Sequence, residues 1–321
     1  MRLPQPLLDS QFFLFERLDD LLRALGSEVE RDEKVEIMRL AQLGLPPATS
    51  VLSVATMLGM NPGFVWSLMY KSQRHYRHFT IPKGRGFRQI DAPKVGLKIV
   101  QKWLSVQLGR IYQAPAHVHG FVPGKSHVTA AEAHLGAEWV ASFDIQDFFP
   151  STPKILVETV LMEAGYSPAS AAVVASLCCH ADRLVQGSPT SPVIANMCFA
   201  SVDQKVAAFA AASGLKVTRY ADDVTFSGKG DWNLAVEREL LALLADSPWV
   251  LSRHKTQFAR LPERLKVHGL LVDGEKIRLT KGYRNRLRMF TYLKKKGAQL
   301  GDSELSIKGH LNYAKFIEGR D

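Results

Sequence analysis

Tyr220-Ala221-Asp222-Asp223 is the stretch on which the reading of this chain turns. Leu215-Lys216-Val217-Thr218-Arg219 leads into it and Val224-Thr225-Phe226 leads out. Apolar and β-branched residues on both sides predict two strands joined by a tight turn, with the paired acids at its tip. Such a pair can be purely conformational, because Asp favours turns and is well solvated there. It can also be a site for a hard divalent cation such as Mg²⁺, which takes oxygen ligands and completes its shell with substrate phosphates. The second reading needs at least one more carboxylate from elsewhere.

Working outward, Trp139-Val140-Ala141-Ser142-Phe143-Asp144 reads as a buried strand that ends in an acid. Ile145-Gln146-Asp147-Phe148-Phe149-Pro150-Ser151 then turns towards a helix. A lone Asp at a strand end often caps the next helix. Together with the acidic turn, Asp144 completes a three-acid set with Asp222 and Asp223. Acids carried on strands are held more rigidly than acids on loops.

Charge surrounds this centre asymmetrically. The 321 residues carry a formal net charge of +10. Residues 71–110 hold ten Lys and Arg against one acid, and residues 281–321 hold ten against four, so the remainder of the chain is net negative. Two basic blocks around an acidic centre suit an enzyme that grips a polyanion and works at a metal. A hydrophobic fraction of 46% is too high for a disordered chain. Three cysteines, Cys178, Cys179 and Cys198, make no disulfide framework and fit a reducing cytoplasm. Cys178-Cys179-His180 lacks the spaced partner pair of a tetrahedral zinc site. No apolar run reaches transmembrane length, so no membrane partner is expected, and Asp9 and Glu16 interrupt the start, which argues against a signal peptide.

In chain order, helices are expected at 10–26 with Ser10 as N-cap, at 33–44, at 50–60 and at 62–70. Pro62 suits a first helical turn. The last two resemble a helix-turn-helix, a spacing that usually means a packed bundle. Phe79-Thr80-Ile81-Pro82 and Phe87-Arg88-Gln89-Ile90 read as a basic hairpin around Lys83-Gly84-Arg85-Gly86, with an amphipathic helix from Leu97. Gly120-Phe121-Val122-Pro123-Gly124-Lys125-Ser126 has one residue too few between Gly120 and the Gly-Lys pair for a phosphate-binding P-loop. Helices are expected at 153–164, 168–179, 192–210 and 232–246, and the loop Gln186-Gly187-Ser188-Pro189-Thr190-Ser191-Pro192 opens the third of them. Val267–Val272 and Lys276–Leu279 read as a hairpin around Asp273-Gly274, followed by a basic helical tail from Lys281.

With these pieces in order, residues 70–315 resemble reverse transcriptases, and among them the bacterial retron type. Tyr220-Ala221-Asp222-Asp223 is similar to the family's Y-x-D-D box, and Phe143-Asp144 with Asp147–Ser151 to its first-acid motif. Gln186–Pro192 is similar to its Q-G-x-P-x-S-P loop, and Ile81–Arg88 to its fingers hairpin. Two retron motifs are altered: N-A-x-x-H stands as Ala130-Ala131-Glu132-Ala133-His134, and V-T-G as Val267-His268-Gly269. The same motifs would suit another bacterial defence-associated or intron-type reverse transcriptase. A non-catalytic RNA-binding module is the remaining alternative.

The resemblance implies an α+β right-hand polymerase: an N-terminal helical region over 1–70, fingers and palm over 71–265, and a primer-grip hairpin with a short helical thumb over 266–321. It implies Asp144, Asp222 and Asp223 as catalytic residues and ligands of two Mg²⁺ ions, with Mn²⁺ as a substitute. Lys83, Arg88, Asp147, Phe148, Phe149 and Gln186 would bind the incoming dNTP, the Phe149 ring excluding a 2′-hydroxyl. Tyr220, Ala221, Val267, His268, Gly269, Arg284, Arg288, Lys294 and Lys295 would hold primer and template. The implied partners are a cognate structured non-coding RNA that is both template and primer, its cDNA (together msDNA), and an effector protein of anti-phage defence.

Overall fold

The computed structural model describes residues 3–84, 86–230, 235–295 and 304–319. The N-terminal helices are α1 (Gln5–Asp9), α2 (Leu18–Leu25), α3 (Arg31–Gln42), α4 (Val51–Leu58) and α5 (Pro62–Tyr70). Ser50 and Ser53 close a capping box on α4, and Gly59 ends it in the left-handed conformation at φ +62°. Asn61 caps α5 by accepting from the amides of Gly63 and Phe64, and Pro62 sits in its first turn. The helix expected from Ser10 begins only at Leu18. Ser10 Oγ donates to the Phe15 carbonyl and accepts from the Phe12 amide, and Phe13 lies at φ +57°, which no helix tolerates.

Strands β1 (Tyr76–Lys83) and β2 (Gly86–Pro93) form the basic hairpin, and α6 (Val95–Ile111) follows. Next come α7 (His127–Glu132), β3 (Trp139–Asp144), α8 (Lys154–Ala164), α9 (Pro168–Cys178) and α10 (Ser191–Ala212). Residues 145–153 form a turn rather than helix, with Asp147 at φ +46°. Then come β4 (Lys216–Tyr220), β5 (Asp223–Gly228), α11 (Ala235–Leu244), β6 (Gln257–Arg260), β7 (Lys266–Val267), β8 (Leu270–Leu271), β9 (Arg278–Leu279), α12 (Lys281–Lys295) and α13 (Glu304–Glu318). Val267–Val272 is therefore not one strand. It folds back at His268 (φ +47°) and Gly269 (φ +85°), so that Val267 pairs with Leu270 and β8 then pairs with β9.

The chain divides into two compact units. The first comprises Met1–Pro115, Gln146–Val202 and Asp246–Trp249. Its helices bury Leu21, Ile37, Leu40, Met57, Leu68, Trp103 and Phe199. Trp103 Nε1 donates to the Ser10 carbonyl and Gln107 Nε2 to the Leu8 carbonyl, which ties the N-terminal segment to α6. Phe148, Phe199 and Trp249 stack together in the same core.

The second unit comprises Ala116–Ile145, Asp203–Ala245 and Val250–Asp321. Its larger sheet is antiparallel in the order β4-β5-β3-β6. β3 is central: Trp139, Ala141 and Phe143 are buried on one face, and Val140 is buried on the other beside Ser142 and Asp144. Phe143 and Phe226 meet edge-to-face, as do Phe209 and Phe226. A second apolar cluster joins Val128, Val140, Val267, Leu279, Leu287 and Ile317, so the small sheet, α7, α12 and α13 share one core with β3.

Candidate active site

The acids lie where β3 and the β4–β5 hairpin end together. Tyr220 pairs with Asp223 across a two-residue turn, and Asp223 in turn pairs with Asp144 on β3. The Ile145 amide donates to the Asp222 carbonyl at 2.7 Å, and the Ser252 amide to the Asp144 carbonyl at 2.8 Å. Thus the backbone, not side-chain attraction, brings three like charges into one place. Asp144 and Asp223 face a polar cleft of about 380 Å³ that Lys255, Gln257, Lys266 and His268 also line.

The electrostatics follow from that crowding. Burial pushes the Asp223 carboxyl up, the neighbouring Asp222 and Asp144 add to the shift, and it reaches about 7 although Thr225 Oγ1 donates to it. Lys255 Nζ donates to Asp144 Oδ1 and supplies a compensating positive charge. His268 Nδ1 lies 3.6 Å from Asp223 Oδ2, but burial and the nearby His127 and His119 hold its pKa down at about 4, so it is neutral at pH 7. The Tyr220 ring packs against His268 at 5.2 Å.

The turn itself is strained and clamped. Ala221 lies at φ +58°. Arg219 Nη1 donates to the Ala221 carbonyl at 3.0 Å, while its Nε and Nη2 grip both oxygens of Asp203. Both members of this ion pair are 1% exposed, and His117 Nε2 sits 3.4 Å from Asp203. His134, fully buried, bridges Thr218 on β4 (2.8 Å) and Ser227 on β5 (2.7 Å); burial brings its pKa to about 3, so it does this as a neutral ring. Gly120 lies so close to the turn that a Cβ there would stand 2.1 Å from the Ala221 amide nitrogen. The glycine of the rejected phosphate-loop pattern is thus a packing glycine, and Lys125 from the same pattern donates to the carbonyls of Ala116 and Val118.

Of the residues expected at the site, Asp144, Tyr220, Ala221, Asp222, Asp223, His268 and Gly269 come together in the second unit. Val267 belongs to that unit's core and is 0% exposed. Arg284 and Arg288 stand exposed one turn apart on α12; the side chains of Lys294 and Lys295 lie outside the described residues. Lys83, Arg88, Asp147, Phe148, Phe149 and Gln186 belong to the first unit. Lys83 and Arg88 share one face of the hairpin, since Ile81 pairs with Arg88. The Gln186 carbonyl accepts from the Asp91 amide at 2.8 Å, which ties its loop to β2. The Phe148 side chain is a core residue, 3% exposed and packed against Phe199 and Trp249.

Sequence reasoning passed over Lys255, Arg219, Asp203 and the roles of His134 and Gly120. Lys255 just precedes β6, a short polar edge strand with no periodic signature. The altered motif ending in His134 was the one signal pointing to that residue.

Among the described residues, no group of three His, Cys, Asp or Glu side chains by itself forms a metal cage. The donor set still fits a hard cation. Carboxylate oxygens on adjacent strands suit an ion that keeps waters and shares its shell with substrate phosphates.

The family model for reverse transcriptase (RNA-dependent DNA polymerase) matches residues 81–293. The retron Mx65 reverse transcriptase of Myxococcus xanthus is 31% identical over 311 residues, covering 89% of this chain and 73% of that protein. The retron Ec86 reverse transcriptase of Escherichia coli is 30% identical over 250 residues, covering 76% and 78% respectively. Among solved structures, a Candida albicans telomerase in complex with a telomeric RNA fragment aligns at TM-score 0.48 and 12% identity, over 70% of this chain and 52% of that one. A foamy viral protease-reverse transcriptase with double-stranded DNA aligns at TM-score 0.43 and 13% identity, over 76% and 38%.

The α+β fold and the matching family model define a reverse transcriptase, an RNA-directed DNA polymerase. Within that class the chain belongs to the bacterial retron-type reverse transcriptases.

Two outcomes follow from this geometry. Gly120→Ala forces the acidic turn to shift, and we expect kcat for primer extension to fall about 10²-fold, the scale of a 1 Å misplacement, with little change in dNTP KM. Asp223 keeps its proton more tightly folded than unfolded, so its ionisation costs stability as pH rises from its free value of 3.8 through 7. In EDTA, Asp223→Asn should therefore raise Tm at pH 8, at roughly 2–4 °C per kcal/mol relieved, with the gain shrinking towards pH 4. An equal shift at both pH values would contradict the assignment.

Proposed function

We propose that this enzyme copies part of a cognate structured non-coding RNA, serving as both template and primer, into branched RNA–DNA (msDNA). In this reading it acts with an effector protein in anti-phage defence, in the bacterial cytoplasm. The carrying observation is the cross-strand pair Asp144–Asp223 with Asp222 in the adjoining turn, in a chain of the retron reverse transcriptase family. Among the described residues no helix is long and apolar enough to cross a membrane.

Asp144 and Asp222, assisted by Asp223, would hold two Mg²⁺ ions (Mn²⁺ substituting), which supply charge stabilisation for the attacking 3′-oxygen and the leaving pyrophosphate. The chain's own residues then have distinct tasks. Lys83 and Arg88 neutralise the triphosphate from one face of the hairpin, with Asp147 and the Phe148 backbone beside it. Phe149 blocks a 2′-hydroxyl, and Gln186, held to β2 through its carbonyl, borders sugar and base. Tyr220, Ala221 and Val267-His268-Gly269 position the primer end. Arg284, Arg288, Lys294 and Lys295 hold the duplex by its phosphates, which reads shape rather than sequence. In this scheme residues 1–70 are the N-terminal helical region, 71–265 fingers and palm, and 266–321 primer grip and thumb.

Primer extension with dNTPs and Mg²⁺ tests the site. Asp222→Ala should lower kcat at least about 10³-fold, the several kcal/mol of lost charge stabilisation; equal activity would sink the assignment. Nucleic acid recovered with the protein from its host tests the product. RNA joined 2′–5′ to cDNA is expected, and absence of any bound RNA counts against the retron role.

A further inference from the structure

A second cationic surface in the first unit has no task in the reaction described above. Arg77 on β1 and Lys94, Lys98 and Lys102 surround a pocket of about 540 Å³, with Val95 and Ile99 as apolar lining. Lys94 precedes α6, and Lys98 and Lys102 follow at four-residue intervals, so the three stand in one row. Like charges at that spacing weaken a helix. The first turn of α6 carries no acid to offset them. Among the described residues none of the four cations has a carboxylate partner; Lys94 Nζ donates instead to the Arg74 carbonyl at 2.7 Å. The positive end of the α6 dipole adds charge of the same sign. A polyanion relieves this repulsion, and a folded chain alone does not.

The apolar neighbours narrow the polyanion. Val95 is 57% exposed at the pocket, and Phe64, 40% exposed, lies against Gly96 in the first turn of α6. Cations in a row beside exposed apolar and aromatic groups is the pairing by which proteins hold single strands, the backbone on the charges and the bases on the rings. The pocket is also distinct from the triphosphate residues. Arg77 is six residues along β1 from Lys83, about 20 Å at strand rise.

We propose that this pocket binds the phosphodiester backbone of a single-stranded stretch of RNA, at a site separate from Lys83 and Arg88. The proposal rests on the reverse transcriptase reading only for the presence of an RNA partner.

The test is fluorescence anisotropy of the full-length protein with a labelled 20-nucleotide mixed-sequence single-stranded RNA, between 50 and 200 mM salt. The triple variant K94Q/K98Q/K102Q should lose about tenfold in affinity, with the log–log salt slope shallower by about 2, as expected for three lost phosphate contacts on a single strand. Its Tm should be equal or higher, because the row of repulsion is gone. Should the triple variant fold poorly, K98Q alone should still lose about threefold. Unchanged affinity and slope overturn the proposal. So does equal displacement of the RNA by poly-glutamate at matched charge, which assigns the pocket to an acidic protein, or pelleting of wild type but not the variant with phosphatidylserine vesicles, which assigns it to a membrane. Extension by wild type on primed poly(rA) separates the two readings. No extension with lysine-dependent binding leaves this site standing, whereas extension with lysine-independent binding removes it.

Discussion

The register that sets Asp144 opposite Asp223 is the constraint on which the second unit is built. Two carboxylates on adjoining strands, with a third in the next turn, repel one another. Nothing local favours them together. They are held by hydrogen bonds that continue past the strand ends, Ile145 to Asp222 and Ser252 to Asp144, and by the apolar burial of β3 between its neighbours. The energy of the sheet and its core opposes the energy of the charges; burial, with Asp222 and Asp144 adding to it, holds the Asp223 carboxyl up at about 7.

Around that register the neighbouring residues divide the remaining work. Arg219 and Asp203 form a buried pair whose third hydrogen bond reaches the left-handed Ala221, so that charge desolvated inside the unit fixes the shape of the acidic turn. Removing one partner of such a pair leaves an uncompensated buried charge, which is why it rigidifies. His134 contributes in the opposite way, as a neutral ring that accepts and donates between two strands without adding charge. Lys255 brings positive charge to Asp144 itself.

The first unit shows the complementary arrangement. Its hairpin offers Lys83 and Arg88 on one face, and the amide of Asp91 at its base anchors the Gln186 loop, where Gly187 (φ +119°) would meet Asp91 with any Cβ. Position and charge are coupled there: the hairpin that presents the cations also anchors the Gln186 loop. The row of lysines on α6 extends the same excess of positive charge to a second, apolar-rimmed pocket.

Much of this was legible in the sequence because it depends on near neighbours. An apolar run marked β3, apolar and β-branched residues marked the β4–β5 hairpin, and Pro62 marked the first turn of its helix. The ordered motifs located the three acids. What depended on distant pairing was hidden. Phe13 at positive φ broke the helix expected from Ser10, and the fold-back at His268-Gly269 split a run that reads as one strand. Phe148, expected beside the nucleotide, turns its side chain into the core. Lys255 meets Asp144 across 111 residues only because β6 lies beside β3, and Arg219, which reads as one more strand cation, finds Asp203 on α10. The sequence by itself determined which acids, cations and turns the enzyme possesses, since those follow from residue type and short-range spacing. Which cation faces which acid was decided by strand pairing and burial, because electrostatic partners are chosen by distance in space and not along the chain.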